Sequence, residues 1–221
     1  MTQEKKRGKL VVISGFSGVG KGTVVNRLLK DYDDYVVSVS MTTRQPREGE
    51  IDGVHYHFVT NEEFEKTIRE NGFLEYAGYV DHYYGTPSAF VEKMLGEGVN
   101  VILESEVQGA MQIKKQNPDA VLIFLTTKDA REMEKRLIGR KTDSEKQITG
   151  RFKRALEEAE HMKEYEYVVV NDDLDKCVTD VDRIIRTKPE GHRYDSSFKK
   201  TFLEDLSKIV EKRSCKSFEQ D

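Results

Sequence analysis

The run Leu10-Val11-Val12-Ile13-Ser14 leads without a break into Gly15-Phe16-Ser17-Gly18-Val19-Gly20-Lys21-Gly22-Thr23, and a helical pattern continues over 21–30. An apolar strand, a glycine-rich turn and a helix start, in that order, make a loop able to cradle phosphate. Glycines let backbone amides converge on anionic oxygens, the helix N-terminus adds positive potential, and Lys21 brings a full charge. The plain alternative is an ordinary strand-to-helix turn. Gly15, Gly20 and Lys21 standing in register argue against it. In the common form of such a loop a Ser or Thr follows the lysine and reaches magnesium. Here Gly22 holds that place and Thr23 comes one residue later.

Outward from this loop, short apolar runs alternate with amphipathic helical patterns, which predicts an α/β fold with a central parallel sheet flanked by helices. The spacing predicts strands over 10–14, 35–40, 99–103, 120–125 and 167–170. Helices are expected over 21–30, 107–116, 129–138, 145–164 and 174–185. Ser144 with Gln147, and Thr60 with Glu63, have the spacing of capping boxes, and Thr86-Pro87 reads as an N-cap followed by a first-turn proline. Residues 41–89 break the rhythm, being rich in Tyr, His, Gly and Arg. They read as a small α+β lobe inserted into a core made of 1–40 and 90–186, with alternating runs over 54–59 and 73–80. A short charged patch at 139–143 sits between two helices. Residues 187–221 read as a C-terminal extension, with Phe198, Phe202, Leu206, Ile209 and Val210 at helical spacing for docking on the core or on a partner.

The bulk numbers exclude several classes. The chain has 221 residues, a net charge of -4, and 37% hydrophobic and 34% charged residues. That charge argues against general affinity for nucleic acid, whose binders carry a basic stripe. Cys177 and Cys215 lie far apart without metal-ligand spacing, which points away from zinc and disulfides and towards a reducing compartment. His55, His57 and His82 match no metal spacing and read as structural or surface groups. The basic N-terminus precedes an apolar run too short for a signal peptide, and no stretch approaches a membrane span. The expected location is cytoplasmic, with no membrane partner.

A second cluster follows the loop: Ser38-Val39-Ser40-Met41-Thr42-Thr43-Arg44-Gln45-Pro46-Arg47-Glu48-Gly49-Glu50, then Gly53-Val54-His55-Tyr56-His57-Phe58-Val59. Two arginines three residues apart, stiffened by Pro46, form a clamp for a second phosphate. The string strongly resembles the signature of guanylate kinases, and the resemblance runs from about residue 10 to residue 186 with several motifs in order. The Gly-Lys-Gly-Thr string resembles adenylate kinases and some bacterial guanylate kinases.

The resemblance implies a P-loop kinase core and Mg²⁺-dependent transfer of a phosphoryl group from ATP to GMP, with dGMP as a further acceptor. It implies that Gly15, Ser17, Gly18, Val19, Gly20, Lys21, Gly22 and Thr23 hold ATP. Arg44 and Arg47, helped by Tyr56 and Tyr84, take the phosphate of GMP, while Ser40, Glu75 and Thr86 read guanine. The chemistry is coherent, because guanine offers an acceptor at O6 and donors at N1 and N2, whereas adenine reverses the first two. Glu104 and Glu106 stand at a strand's carboxyl end, where open α/β sheets bind ligands. The family usually shows Ile and Asp where Ser105 and Glu106 stand here. Glu106 is assigned to GMP, and Glu104 and Thr23 to magnesium or its waters. Arg136, Arg140 and Arg151 resemble the arginines of the family's lid, expected over 137–151. Asn171 resembles a residue lining the adenine pocket, with Asp172 or Asp173 as a helix cap. A monomer or homodimer is expected. The rivals are a kinase for another nucleoside monophosphate and a guanylate kinase-like phosphopeptide-binding module. The module characteristically lacks the intact loop that 15–23 supplies. A GTPase would need an Asn-Lys-x-Asp motif, absent here.

Overall fold

A near-continuous apolar strand demands burial on both faces, and Leu10–Gly15 (β1) has it: Val11, Val12 and Ile13 are fully buried. The computed structural model describes residues 6–79, 81–139, 144–190 and 196–217. After β1 come α1 (Lys21–Asp31), β2 (Tyr35–Val37), β3 (Met41–Thr42), β4 (His57–Phe58), α2 (Asn61–Arg69) and β5 (Phe73–Tyr79). Next are β6 (His82–Pro87), α3 (Ser88–Gly96), β7 (Asn100–Glu104), α4 (Val107–Gln116), β8 (Val121–Thr126) and α5 (Ala130–Gly139). The chain continues with α6 (Glu145–Glu160), a 3-10 turn (His161–Glu164), β9 (Tyr167–Val170), α7 (Leu174–Thr187) and α8 (Ser196–Ser217). A five-stranded sheet has the order β2-β7-β1-β8-β9, and β2–β7 and β8–β9 pair in parallel.

Two compact units divide the chain. One comprises Met1–Val12 and Leu28–Val121, the other Ile13–Arg27 and Leu122–Asp221. In the first, a second sheet of order β4-β3-β6-β5 is mixed, with β3–β4 parallel and β3–β6 and β5–β6 antiparallel. Phe64 of α2 is fully buried and stacks on Phe73 and Tyr83, with centroids 4.4 and 5.3 Å apart, so the helix is pinned to this sheet by its one buried side chain. Thr60 and Glu63 close the expected capping box. In the second unit, the box of Ser144 and Gln147 starts α6. Phe202 and Leu206 of α8 are buried, so the tail's apolar face docks within this chain.

Some elements depart from expectation. Thr86 is a residue of β6, not a cap; Pro87 takes the N-cap place of α3 and makes no side-chain cap bond. Proline, lacking an N–H, ends the ladder, and the Thr86 hydroxyl is engaged with Glu75 instead. The strand expected over 35–40 stops at Val37, and of the run over 54–59 only His57 and Phe58 are in strand, after a turn at 53–55 and a bridge of Tyr56 to Asp52. The helix expected to 164 tightens into a 3-10 turn after Glu160.

Candidate active site

In the second unit, Gly15, Gly18 and Gly20 adopt φ of 150°, 89° and 89°, backbone that L side chains rarely enter. A Cβ at Gly20 would also stand 2.8 Å from the Asn171 amide nitrogen, so the loop turns tightly only because hydrogen occupies that place. The first helical bond of α1 runs from Val24 N–H to Gly20 O at 3.0 Å, and the turn that begins at Lys21 offers its amides to the loop. Lys21 Nζ curls back and donates to Gly15 O at 2.5 Å and Phe16 O at 3.2 Å. Its charge therefore stands at the loop, where the sequence requires it.

Further side chains reach this loop or the cavity beside it. Arg151 Nη1 donates to Ser17 Oγ at 2.7 Å, bringing α6 to the loop. Asn171, only 6% exposed, donates from Nδ2 to Val19 O at 2.8 Å, while its own amide donates to Thr126 O. Its amide group thus braces the loop as well as lining the cavity. That cavity, about 400 Å³, is lined by Gly18, Gly20, Thr23, Arg136, Asn171 and Asp172, with Gly139 and Leu174. Arg136 Nε donates to Glu132 one turn earlier at 2.8 Å, which fixes its guanidinium on the cavity side of α5. Asp173 caps α7, accepting from Lys176 N–H at 2.8 Å. Asp172 pairs with Lys128 at 3.1 Å instead. Gly22 and Thr23 are exposed. Arg140 lies outside the described residues.

In the first unit the arginine and tyrosine residues converge. Arg44 makes a forked pair with Glu50, Nη1 to Oε2 and Nη2 to Oε1, both 2.9 Å, and Nη1 also donates to Gln45 O at 2.7 Å. Its guanidinium lies over Tyr56 and Phe58, 5.6 and 5.7 Å from the ring centroids, and the Tyr56 ring meets Tyr84 edge-on at 5.9 Å. Glu50 also accepts from the Arg47 amide at 2.7 Å. The Arg44 guanidinium and that amide hold the Glu50 carboxyl down at about 2, and Glu50 in turn raises the Arg44 pKa. Burial pushes the Tyr56 phenol up, so it stands there as a neutral hydrogen-bonding group. The Arg47 side chain is exposed.

A different pair sits on β5 and β6. Glu75 and Thr86 are cross-strand partners, and the buried Thr86 hydroxyl donates to Glu75 Oε1 at 2.6 Å. Burial raises the Glu75 pKa against the lowering by Thr86. Gly109 of α4 makes room for this carboxylate: a Cβ there would lie 2.9 Å from Glu75 Oε2 and collide with Ser105 Oγ. Ser40 is half-buried before β3, its carbonyl accepting from His57 N–H at 2.8 Å. Glu104 and Glu106 are exposed at the end of β7 and the start of α4, and Ser105 Oγ donates to Glu106 O at 3.1 Å.

The sequence reading passed over Glu50, Gly109 and Phe58. Glu50 stands within the same string as Arg44, six residues on, but a carboxylate beside a phosphate clamp carries no local signal that it supports the clamp. Gly109 had no signal at all, since its role depends on β5.

A family model described as guanylate kinase matches residues 7–188. A guanylate kinase from Streptococcus thermophilus is 52% identical over 184 residues, covering 83% of this chain and 88% of its own. One from Caldanaerobacter subterraneus subsp. tengcongensis is 48% identical over 181 residues, with coverages of 82% and 88%. Among solved structures, a guanylate kinase from Anaplasma phagocytophilum superposes with a TM-score of 0.66 at 30% identity, over 85% of this chain and 89% of its own. Sequence and fold agree over the stretch that carries both groups of side chains, and the chain belongs to the guanylate kinase family.

Proposed function

We propose that this chain transfers the γ-phosphoryl group of ATP to GMP, the reaction of its family, with ATP held by the 15–23 loop and GMP by the arginine–tyrosine lobe. The observation that carries the reading is the company kept in one unit by two unlike sites. Arg44, Tyr56 and Tyr84 form a cationic, hydroxyl-bearing grip, and the buried Glu75–Thr86 pair forms an acceptor–hydroxyl edge. The first suits a phosphate. The second suits a base that offers donors at N1 and N2, with Ser40 assigned to O6. Adenine would leave Glu75 facing a lone pair, and a buried polar group left unpaired can reject the wrong base by ~10⁴ or more.

The acceptor phosphate is largely dianionic at neutral pH, its second pKa being about 6, so no general base is nominated. The residues' work is positioning and charge: Lys21, the loop amides, Arg136 and Arg151 on the ATP side, Arg44 and Arg47 on the GMP side. Arg140 is proposed to join them, Asn171 to border the adenine, and Glu106 to reach GMP. Phosphoryl transfer of this kind is generally Mg²⁺-dependent. Thr23, exposed on the cavity wall, and Glu104, exposed at the end of β7, offer the hard oxygen donors that magnesium or its waters prefer. A magnesium ion held there would supply charge neutralisation to the phosphates. dGMP is proposed as a second acceptor, since the assigned groups address base and phosphate. Among the described residues no helix is long and apolar enough to cross a membrane. A cytoplasmic setting, a monomer or homodimer, and no nucleic-acid partner complete the reading.

The test is a coupled ADP-release assay with GMP, AMP, UMP and CMP as acceptors. GMP should exceed AMP in kcat/KM by orders of magnitude. Equal use of AMP would favour a kinase for another nucleotide, and no transfer to any acceptor would favour a phosphopeptide-binding module.

A further inference from the structure

The stretch matched by the family model ends at residue 188, yet α8 lies against the nucleotide loop. Phe202 of α8 stacks on Phe16, with ring centroids 5.1 Å apart and planes 10° off parallel. On another side the Phe16 ring meets Phe124 edge-on at 4.9 Å, and Phe16 itself is 0% exposed. Phe16 is one of two loop residues whose carbonyls accept from Lys21 Nζ, at 3.2 Å, with Gly15 O nearer at 2.5 Å. The ring that α8 covers and one of the two carbonyls that take the loop lysine thus belong to one residue.

Further along α8, Arg213 joins two helices that reach the same site. Its Nε and Nη2 donate to Glu134 Oε1 of α5 at 3.0 and 2.8 Å, and Nη1 donates to Glu145 Oε2 of α6 at 2.6 Å. The guanidinium lies over Phe152 of α6, 5.5 Å from the centroid, and the side chain is 11% exposed. α5 carries Arg136 on the cavity wall, two residues after Glu134, and α6 carries Arg151, bonded to Ser17. The sheltered guanidinium thus ties Glu134 of α5 to Glu145 and Phe152 of α6, with the half-sheltered Glu134 fork the firmer tie because the Glu145 carboxylate is exposed.

We propose that α8 is a positioning element of the ATP site: Phe202 sets the loop through Phe16, and Arg213 sets the spacing of the helices bearing Arg136 and Arg151. This rests on the reading of 15–23 as the ATP loop. Neither side chain is among those lining the cavity beside the loop. If α8 served stability alone, its variants would lower melting temperature and leave the kinetics of the folded enzyme unchanged.

The experiment uses the full chain with Phe202→Ala, Phe202→Leu, Arg213→Ala and Arg213→Lys, assayed well below each variant's Tm. KM for ATP, KM for GMP and kcat are measured, together with direct titration of an ATP analogue. Misplacement of about 1 Å can cost ~10²-fold, so Phe202→Ala and Arg213→Ala should weaken ATP by about tenfold or more and GMP by less than about twofold. Phe202→Leu, which keeps most of the apolar volume but loses the ring, and Arg213→Lys, which keeps charge but loses the fork, should fall between and keep the measurement possible if the alanine variants fail to fold. Unchanged ATP parameters in the folded variants, or equal losses for both nucleotides, overturn the proposal. Lys21→Ala separates the two readings. If it too leaves ATP use intact, the loop assignment has failed rather than the role of α8.

Discussion

A carboxylate that reads a base and an arginine that grips a phosphate fail in different ways when altered. Glu75→Gln replaces part of an acceptor edge with a donor, which guanine's own donors then face. That should cost ~1–3 kcal/mol of GMP binding and shrink the ratio of kcat/KM for GMP over AMP. Arg47→Ala should weaken GMP and AMP alike, because a phosphate contact carries no base information. An unchanged ratio in Glu75→Gln would remove Glu75 from base reading. Glu75 also makes base choice sensitive to acid. Burial raises its folded pKa above the unfolded value, so lowering the pH protonates it earlier than an ordinary glutamate. The sign for stability is the opposite of the sign for function. With its folded pKa raised, this group stabilises the fold in its protonated form, a contribution lost as pH rises through that pKa. With Glu75 as the proposed base reader, acid is therefore expected to weaken guanine recognition without unfolding the protein through this residue. The GMP/AMP ratio should fall with pH in the parent and stay flatter in Glu75→Gln. The ratio is the right readout because the phosphate's own ionisation near pH 6 is shared by both acceptors.

At the level of elements, the approach of α4 to β5 decides where the Glu75 carboxylate stands. Gly109 brings the helix close enough for the carboxylate to lie where a Cβ would intrude at 2.9 Å. Gly109→Ala must displace the carboxylate, swing Ser105 out of its bond to Glu106 O, or push the helix away. Overpacking of this kind costs about 1–3 kcal/mol. We expect a raised KM for GMP, a reduced GMP/AMP ratio and an unchanged KM for ATP, from steady-state kinetics on the purified variant. If only thermal stability falls, α4 packs on β5 without setting base choice.

Across the whole molecule, each compact unit carries the residues assigned to one nucleotide. Glu75, Thr86, Arg44 and Tyr56 belong to one, and the loop, Arg136, Arg151 and Asn171 to the other. Lesions should sort accordingly. Lys21→Ala should lower kcat by ~10³ or more, as the loss of a positioned cation does in phosphoryl transfer, while GMP still binds. Isothermal titration of GMP into the variant checks the second half of that expectation. Loss of GMP binding with Lys21 would show that the lysine supports the fold rather than the ATP site.

The sequence alone determined what local rules govern. Alternation of apolar runs with amphipathic stretches specified the α/β order, because burial on two faces or one leaves different periods in the chain. The glycine pattern of 15–23 and the boxes at Thr60 and Ser144 were legible because each is closed by backbone within a few residues. The residue types assigned to base reading came through family likeness. Contacts between distant stretches were not. That Glu75 takes the Thr86 hydroxyl follows from the register of β5 on β6, and Thr86 beside Pro87 looked like a helix cap until that register placed it in a strand. Nor could the tail's spacing of Phe198, Phe202 and Leu206 reveal what it covers. Periodicity records that a face must be buried, while the partner for that face is chosen only when the whole chain packs, and here α8 meets Phe16 of the phosphate loop.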